Sequence, residues 1–348
     1  MNRGRMNRLP VVEAPGFETE CYHNIRLSIV QAHRELMPWY YSHFMNLTLK
    51  TAGEDLFPVI RFEEHLEVYS DIIEETPLPD CEDWVEQVCD CIDKGRYLVV
   101  YFNWRHIPTS RYFKKQDIYH EALVYGYDDS RQTLQFVAFD VEDKGYGSSE
   151  VPYSLFNDEM KRLVAEDMHS QRWFAFYGFP ASVISLRDSQ RTRPDTRSMY
   201  FALDRGRVRA SRTEKDTFAA GYYVNEYLAG YFRQLAEGRP LQVREFVYWN
   251  IIVHKMILHK SLMLQRIDYM QGSAGSKQLE LLKALYVKVK TEMDRVKWTS
   301  IKYQRTKASV YLHQLADHFH TLYELEKRAA AMMMEFLTLS HLNLNLGH

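Results

Sequence analysis

Three apolar runs dominate the first half of the chain: Tyr97-Leu-Val-Val-Tyr-Phe-Asn-Trp104, Ile118-Tyr-His-Glu-Ala-Leu-Val-Tyr-Gly-Tyr127 and Thr133-Leu-Gln-Phe-Val-Ala-Phe-Asp140. All are rich in aromatic and β-branched residues, which favour a pleated, half-buried surface. The last two flank the polar break Asp128-Asp-Ser-Arg-Gln132, and that pattern predicts a β-hairpin. Centred on Ser130, the hairpin sets Tyr127 against Thr133 and His120 against Asp140. Directly opposed residues have Cβ atoms roughly 5 Å apart, close enough for an imidazole and a carboxylate to bond. A bulge would shift this register and separate the pair.

Helical spacing governs most of the rest. Tyr22, Ile25, Ile29, Ala32 and Leu36 recur at that spacing after Thr19 and Glu20, which predicts an amphipathic helix with Cys21 in its first turn. A second helix is predicted from an Asp80 cap to Lys94-Gly95, burying Trp84, Val88, Cys89 and Ile92. Ser154 to Glu166 reads as a helix, Gly145 to Ser149 as a turn, and Arg172 to Phe179 as a strand. Between them, residues 38–79 hold an aromatic patch without a clear period, and Pro77 and Pro79 break the chain. No proline follows Pro240, and Lys215–Glu237, Leu241–Met270 and Lys277–Leu339 carry helical periodicity, with Gln271-Gly-Ser-Ala-Gly-Ser276 separating the last two. The expected fold is α+β, with an antiparallel sheet domain at 1–186, an Arg-rich linker at 187–214 and an all-α domain at 215–348.

Composition narrows the class more than the chemistry. The chain has 348 residues, 46% hydrophobic and 26% charged, ample for a sizeable core. A net charge of −2 gives no electrostatic case for nucleic acid. The first residues show no signal-peptide pattern, no apolar run reaches a membrane span, and four Cys make no disulfide framework, so a cytoplasmic protein is expected.

Cys21, His120 and Asp140 are the candidate chemistry: a nucleophile, a base and its orienter. Backbone N–H groups at a helix start favour a thiolate, the reactive form. The plainer alternatives are a small core Cys and a surface hairpin whose His and Asp never meet. Cys81 and Cys89 read as core, and Cys89-Asp-Cys91 has no neighbouring His to complete a zinc site. His120-Glu121 starts like a zinc-protease motif, but Val124 stands where the second His would be. Gly145-Tyr-Gly-Ser-Ser149 lacks the Lys of a phosphate loop, so neither a metal nor a resident cofactor is expected. Arg187 to Arg212 holds eight arginines, read as a solvated linker or as a docking surface for an acidic partner.

The order of Cys21, His120 and Asp140 resembles that of papain-like folds. Tyr119-His-Glu-Ala-Leu-Val-Tyr-Gly-Tyr-Asp-Asp129 is similar to the His segment of the butirosin biosynthesis protein H family. Glu20-Cys-Tyr-His-Asn24 resembles the nucleophile segment of relatives encoded beside nonribosomal peptide synthetases, and 253–269 resembles a helix that follows such domains. The resemblance covers about residues 15–180. It implies a papain-like domain that transfers an acyl group from a carrier-protein thioester to an amine in natural-product biosynthesis. Phosphopantetheine would be carried by the acyl or peptidyl carrier partner. Gly16-Phe-Glu18 stand where papain-like enzymes have an oxyanion-hole Gln, leaving the Cys21 N–H with Asn24 or Asn103 as donors. Arg205, Arg207 and Arg209 would meet the acidic carrier. A peptidase or amide hydrolase, or a non-catalytic scaffold, remains open.

Overall fold

The computed structural model describes residues 4–52, 57–166, 175–188, 192–212 and 216–346. The chain gathers into two compact units, Met1–Met37 with Leu66–Gln190, and Pro38–His65 with Arg191–His348. In chain order the elements are β1 (Met6–Arg8), α1 (Cys21–Val30), α2 (Met37–Ser42), β2 (Leu47–Ala52), β3 (Pro58–Phe62), β4 (Ile73–Pro77), α3 (Trp84–Asp93), β5 (Tyr97–Asn103) and β6 (Tyr119–Asp128). There follow β7 (Thr133–Val141), β8 (Lys144–Pro152), α4 (Tyr153–Ala165), β9 (Ala181–Leu186), α5 (Thr196–Arg205), β10 (Ser211–Arg212) and β11 (Asp216–Ala220). Helices α6 (Tyr223–Glu237), α7 (Val243–Ala274), α8 (Lys277–Thr306) and α9 (Val310–Leu346) complete the chain. The architecture is α+β.

In the first unit, strands run β4-β9-β5-β6-β7-β8, every pair antiparallel, and β1 pairs with β6. Leu98, Val100, Phe102, Ala122, Val124, Phe136 and Ala138 line one face. Trp84, Val88 and Ile92 of α3 and Phe156, Met160 and Leu163 of α4 pack in the same cluster. Fully burying side chains of this size is worth roughly 1.5–3 kcal/mol each, which fixes both helices on that face of the sheet. Asp83, not Asp80, caps α3, accepting from Val85 N and Glu86 N at 3.0 Å each. Helix α1 stops at Val30, short of the Leu36 that its spacing suggested, and its residues 23–30 are buried throughout rather than along one stripe.

The central hairpin forms between the two runs expected, with a bulge inside it. Near the turn Tyr127 faces Leu134 rather than Thr133, because Gln132 adopts a left-handed φ of 53° and joins the loop. Tyr125 is then the extra residue between the Gly126 and Val124 pairings, and Ala122 falls opposite Ala138. Gly126 suits the bulge. β1 runs beside it, and a Cβ there would lie 2.9 Å from Arg8 Cγ and 3.0 Å from Asn7 O. The segment Gly145–Ser149, expected as a turn, lies inside β8. The turn is Glu142-Asp143, with φ of 50° and 57°, made without glycine. Of the expected strand at Arg172–Phe179, residues 172–174 lie outside those described and 175–179 are irregular; the strand is β9.

In the second unit, β10-β11-β2-β3 form an antiparallel sheet accompanied by α5 to α9. The expected helix over Lys215–Glu237 divides into β11 and α6, and the long run from Lys277 divides into α8 and α9. Lys307 makes that break, with a φ of 57° and its N–H bonded to Tyr303 O at 2.8 Å. Buried Arg266 of α7 donates to the carbonyls of Tyr41 (2.7 Å) and His43, holding the last turn of α2 and the residue that follows it. The Arg-rich stretch contains α5 and β10.

Candidate functional site

Glu20 takes the N-cap position of α1, so Cys21 is its first helical residue. The thiol is half-buried and lies 3.8 Å from Glu18 O. Burial pushes it up to about 12, and the charges of Glu121, Asp140 and Glu20 add to the shift against its own backbone N–H. The helix start therefore does not yield the thiolate expected of it, because loss of water outweighs the first-turn donor. That same influence puts Asp140 and Glu121 in the electrostatic neighbourhood of the sulfur.

Asp140 sits near the end of β7 with a left-handed φ of 52°, uncommon for a residue with a side chain. Its carboxylate accepts from Tyr112 Oη at 2.7 Å and from Arg111 Nη1 at 3.1 Å. No hydrogen bond joins it to His120. The His120 ring instead stacks against Phe139, with centroids 6.1 Å apart and planes at 29°, and its Nδ1 is 3.4 Å from Glu121 O. The expected opposition would follow from continuing the Ala122–Ala138 register, but the turned backbone at Asp140 sends its carboxylate to the Arg111-Tyr112 loop. Cys21 and Asp140 are thus brought within reach of each other's field, while His120 reaches Asp140's chain neighbour.

Arg26, one turn beyond Tyr22, anchors this end of α1. Its guanidinium bonds both oxygens of Glu75 at 2.8 and 3.0 Å, Glu121 at 3.4 Å and Tyr22 O at 2.9 Å. Side-chain exposure is 2% for Arg26, 2% for Glu75 and 7% for Glu121. Burial alone would weaken the proton's hold, but the two carboxylates raise it above the ordinary arginine value. Ser182 of β9 donates to Glu75 at 2.6 Å, so one cation ties α1 to β4 and β6. Tyr146 of β8 meets Ser28 of α1, oxygen to oxygen, at 3.4 Å.

The two oxyanion candidates differ. Asn24 is fully buried; its Oδ1 accepts from Phe17 N at 2.9 Å, and its Nδ2 has no acceptor. Asn103 donates from Nδ2 to Asp117 at 2.8 Å, which ties it to its own loop. Elsewhere in this unit His106 Nδ1 lies 2.9 Å from Glu159 Oε2, with Arg162 on the same carboxylate. Sequence reasoning missed Arg26, Arg111, Tyr112 and Glu121. Only Arg26 left a signal, the one lasting charge in Cys21–Val30, next to Ile25 and Leu27.

In the second unit, Arg205 pairs with Glu63 at 2.9 Å, Arg207 with Asp204 at 3.3 Å and Arg209 with Glu226 at 2.9 Å. Their charge is exposed but locally balanced. Among the described residues no group of three or more His, Cys, Asp or Glu is arranged to hold a metal ion, and no helix is long and apolar enough to cross a membrane. No family model matches the chain, and no curated protein matches it in sequence.

Proposed function

We propose that the first unit is a papain-like cysteine acyltransferase that takes an acyl group from a carrier-protein thioester to an amine. The observation that carries this reading is Cys21 as first residue of a buried helix, its sulfur in the field of an Asp140 held by Tyr112 and Arg111 beside the residue on which His120 stacks. The chain order of the three is that of papain-like enzymes.

A thiol pushed up to about 12 stays protonated at neutral pH, so its proton leaves as the new bond forms. Cys21 Sγ attacks the thioester carbonyl, and His120, swung off Phe139, takes the proton. The carrier's C–S bond breaks, and His120 returns the proton to the departing thiolate. The amine then attacks the acyl-Cys21 thioester, its surplus proton passes through His120 to the Cys21 sulfur, and an amide leaves. A thioester is more electrophilic than an amide, which suits a weakly ionised thiol. The unpartnered Nδ2 of Asn24 and the Cys21 N–H are the donors for the oxyanion.

The test mixes the protein with acyl-carrier thioesters and reads intact mass. An acyl adduct lost in Cys21→Ser and discharged by amines supports transfer; steady release of free acid makes the protein a hydrolase. The raised thiol and the Arg111–Asp140 pair favour one other reading, a scaffold without turnover, and no adduct on any thioester would establish it.

A further inference from the structure

Helix α8 carries eight Lys and Arg against three Asp and Glu, so it is strongly basic in a chain whose net charge is −2. Its inner face is set by Leu282, Val289, Val296 and Tyr303, seven residues apart and all buried. The opposite face meets solvent over three heptads. Ala284, Thr291 and Trp298 repeat every seven residues along it, and Val287, Asp294 and Ile301 each follow three residues later. Trp298 is 61% exposed and Val287 48%, so the face presents apolar surface to water. Two such positions per heptad on one side of a helix make the seam pattern of a coiled coil.

The residues that flank this seam are all cations: Lys283, Lys290 and Lys297 along one border, Lys288, Arg295 and Lys302 along the other. Lys283 pairs with Asp268 of α7, Lys290 with Asp294 and Arg295 with Glu292, while among the described residues Lys288, Lys297 and Lys302 form no ion pair. A solvated helix face gains from mixed signs, through pairs one turn apart. Two unmixed basic borders forgo most of that gain, and flanking charges are what select the partner when helices pair. A second copy of α8 would set Lys and Arg against Lys and Arg, so the face is not one for self-pairing. Asp294, in the middle of the seam, is equally unsuited to the interior of a lipid layer.

We propose that this face of α8 docks an amphipathic helix of another protein, about 30 Å long, with apolar residues on its seam and Asp or Glu on both borders. Trp298 is the anchor, seated between seam residues of the partner, and the two rows of cations meet the two acidic rows. Because both borders have the same sign, they accept the partner in either direction. The surface belongs wholly to the second unit and is independent of the reading given to Cys21.

The experiment titrates the full chain with two three-heptad peptides that have Leu and Ala on the seam and either Glu or Lys at every flanking position. Binding is read by calorimetry and by the gain of helical circular dichroism. The Glu peptide is expected to bind at least about ten-fold more tightly than the Lys peptide, and to become helical as it binds. Trp298→Ala should weaken it about ten-fold. Replacing Lys288, Lys297 and Lys302 by Glu should turn the preference towards the Lys peptide, because the three cations left are already paired. Such a reversal is a readout that unfolding cannot give. Equal binding of both peptides, no saturable binding of the Glu peptide up to about 0.5 mM, or a preference unchanged by the triple replacement would overturn the proposal. So would tighter binding to vesicles of phosphatidylserine and phosphatidylcholine in equal parts, or to oligothymidylate, either of which would make α8 a lipid or nucleic-acid surface.

Discussion

Arg26→Met tests how α1 is held against the sheet. Met keeps much of the arginine stem and removes the charge, leaving Glu75 and Glu121, 2% and 7% exposed, without their shared cation. Removing one partner of a buried pair costs about 3–5 kcal/mol, because the remaining charge stays out of water. Here two carboxylates are stranded together, so the upper end applies. A domain has only about 5–15 kcal/mol in total, and the loss is a large share of it. Hydrogen exchange read by mass spectrometry suits a two-unit protein, since peptides from α8 and α9 serve as an internal control. Exchange in peptides from α1 and β6 should quicken on the order of 10³–10⁴-fold, while the control stays within a factor of three or so. Adding Glu75→Gln and Glu121→Gln should recover at least half of the loss, since no stranded charge remains. Acceleration under about ten-fold, or a triple variant as loose as the single one, would refute the claim that the buried charges hold this corner.

Alkylation of Cys21 by iodoacetamide should climb with unit slope from pH 8 to 11, because about one thiol in 10⁴ is ionised at pH 8 when the group titrates at about 12; an inflection below pH 9 would contradict the burial argument. The same shift has a sign for stability: an ordinary thiol ionises near 9.0 and the folded one near 12, so stability is full below the first value and falls as pH rises between them. Replacing Arg205, Arg207 and Arg209 by Ala should slow reaction with a carrier-bound thioester by about three- to ten-fold at low salt and spare a small soluble thioester, since exposed charges act on encounter and are screened. Equal slowing of both substrates, or of neither, would remove the arginines from the docking surface.

Much of the sheet unit is legible in the residues. The hairpin runs, the α3 face and α4 all follow from period and composition, because each element buries a patterned face against a neighbour close in sequence. What escaped has local causes. Glu142-Asp143 turns with two left-handed residues and no glycine, and Lys307 breaks a helix in the same way, so neither leaves the usual punctuation. Tyr125 bulges because β1 must lie against Gly126, a long-range demand invisible in the strand itself. At the candidate site Cys21 and Asp140 can be proposed from the sequence, but Arg111 and Tyr112 come from an irregular loop with no period to read. The turned backbone at Asp140, which directs its carboxylate to them, has no marker in residue type.

Residues 38–65 carry a consequence for synthesis. Their β2 strand takes β11 as its sheet neighbour, and β11 does not begin until Asp216. At about 5–20 residues per second, the free edge of β2 waits on the order of ten to thirty seconds on the ribosome. Arg266, which clasps the preceding carbonyls, emerges later still. An unpaired hairpin edge of that lifetime is a template for intermolecular pairing, and a fragment cut at the arginine-rich stretch would never be rid of it. Expressed from residue 191 onward, the helices would lack two of their four strands; expressed up to residue 190, the hairpin would have no sheet to join. In the growing chain the second unit's earliest strands therefore wait for β11 and α7.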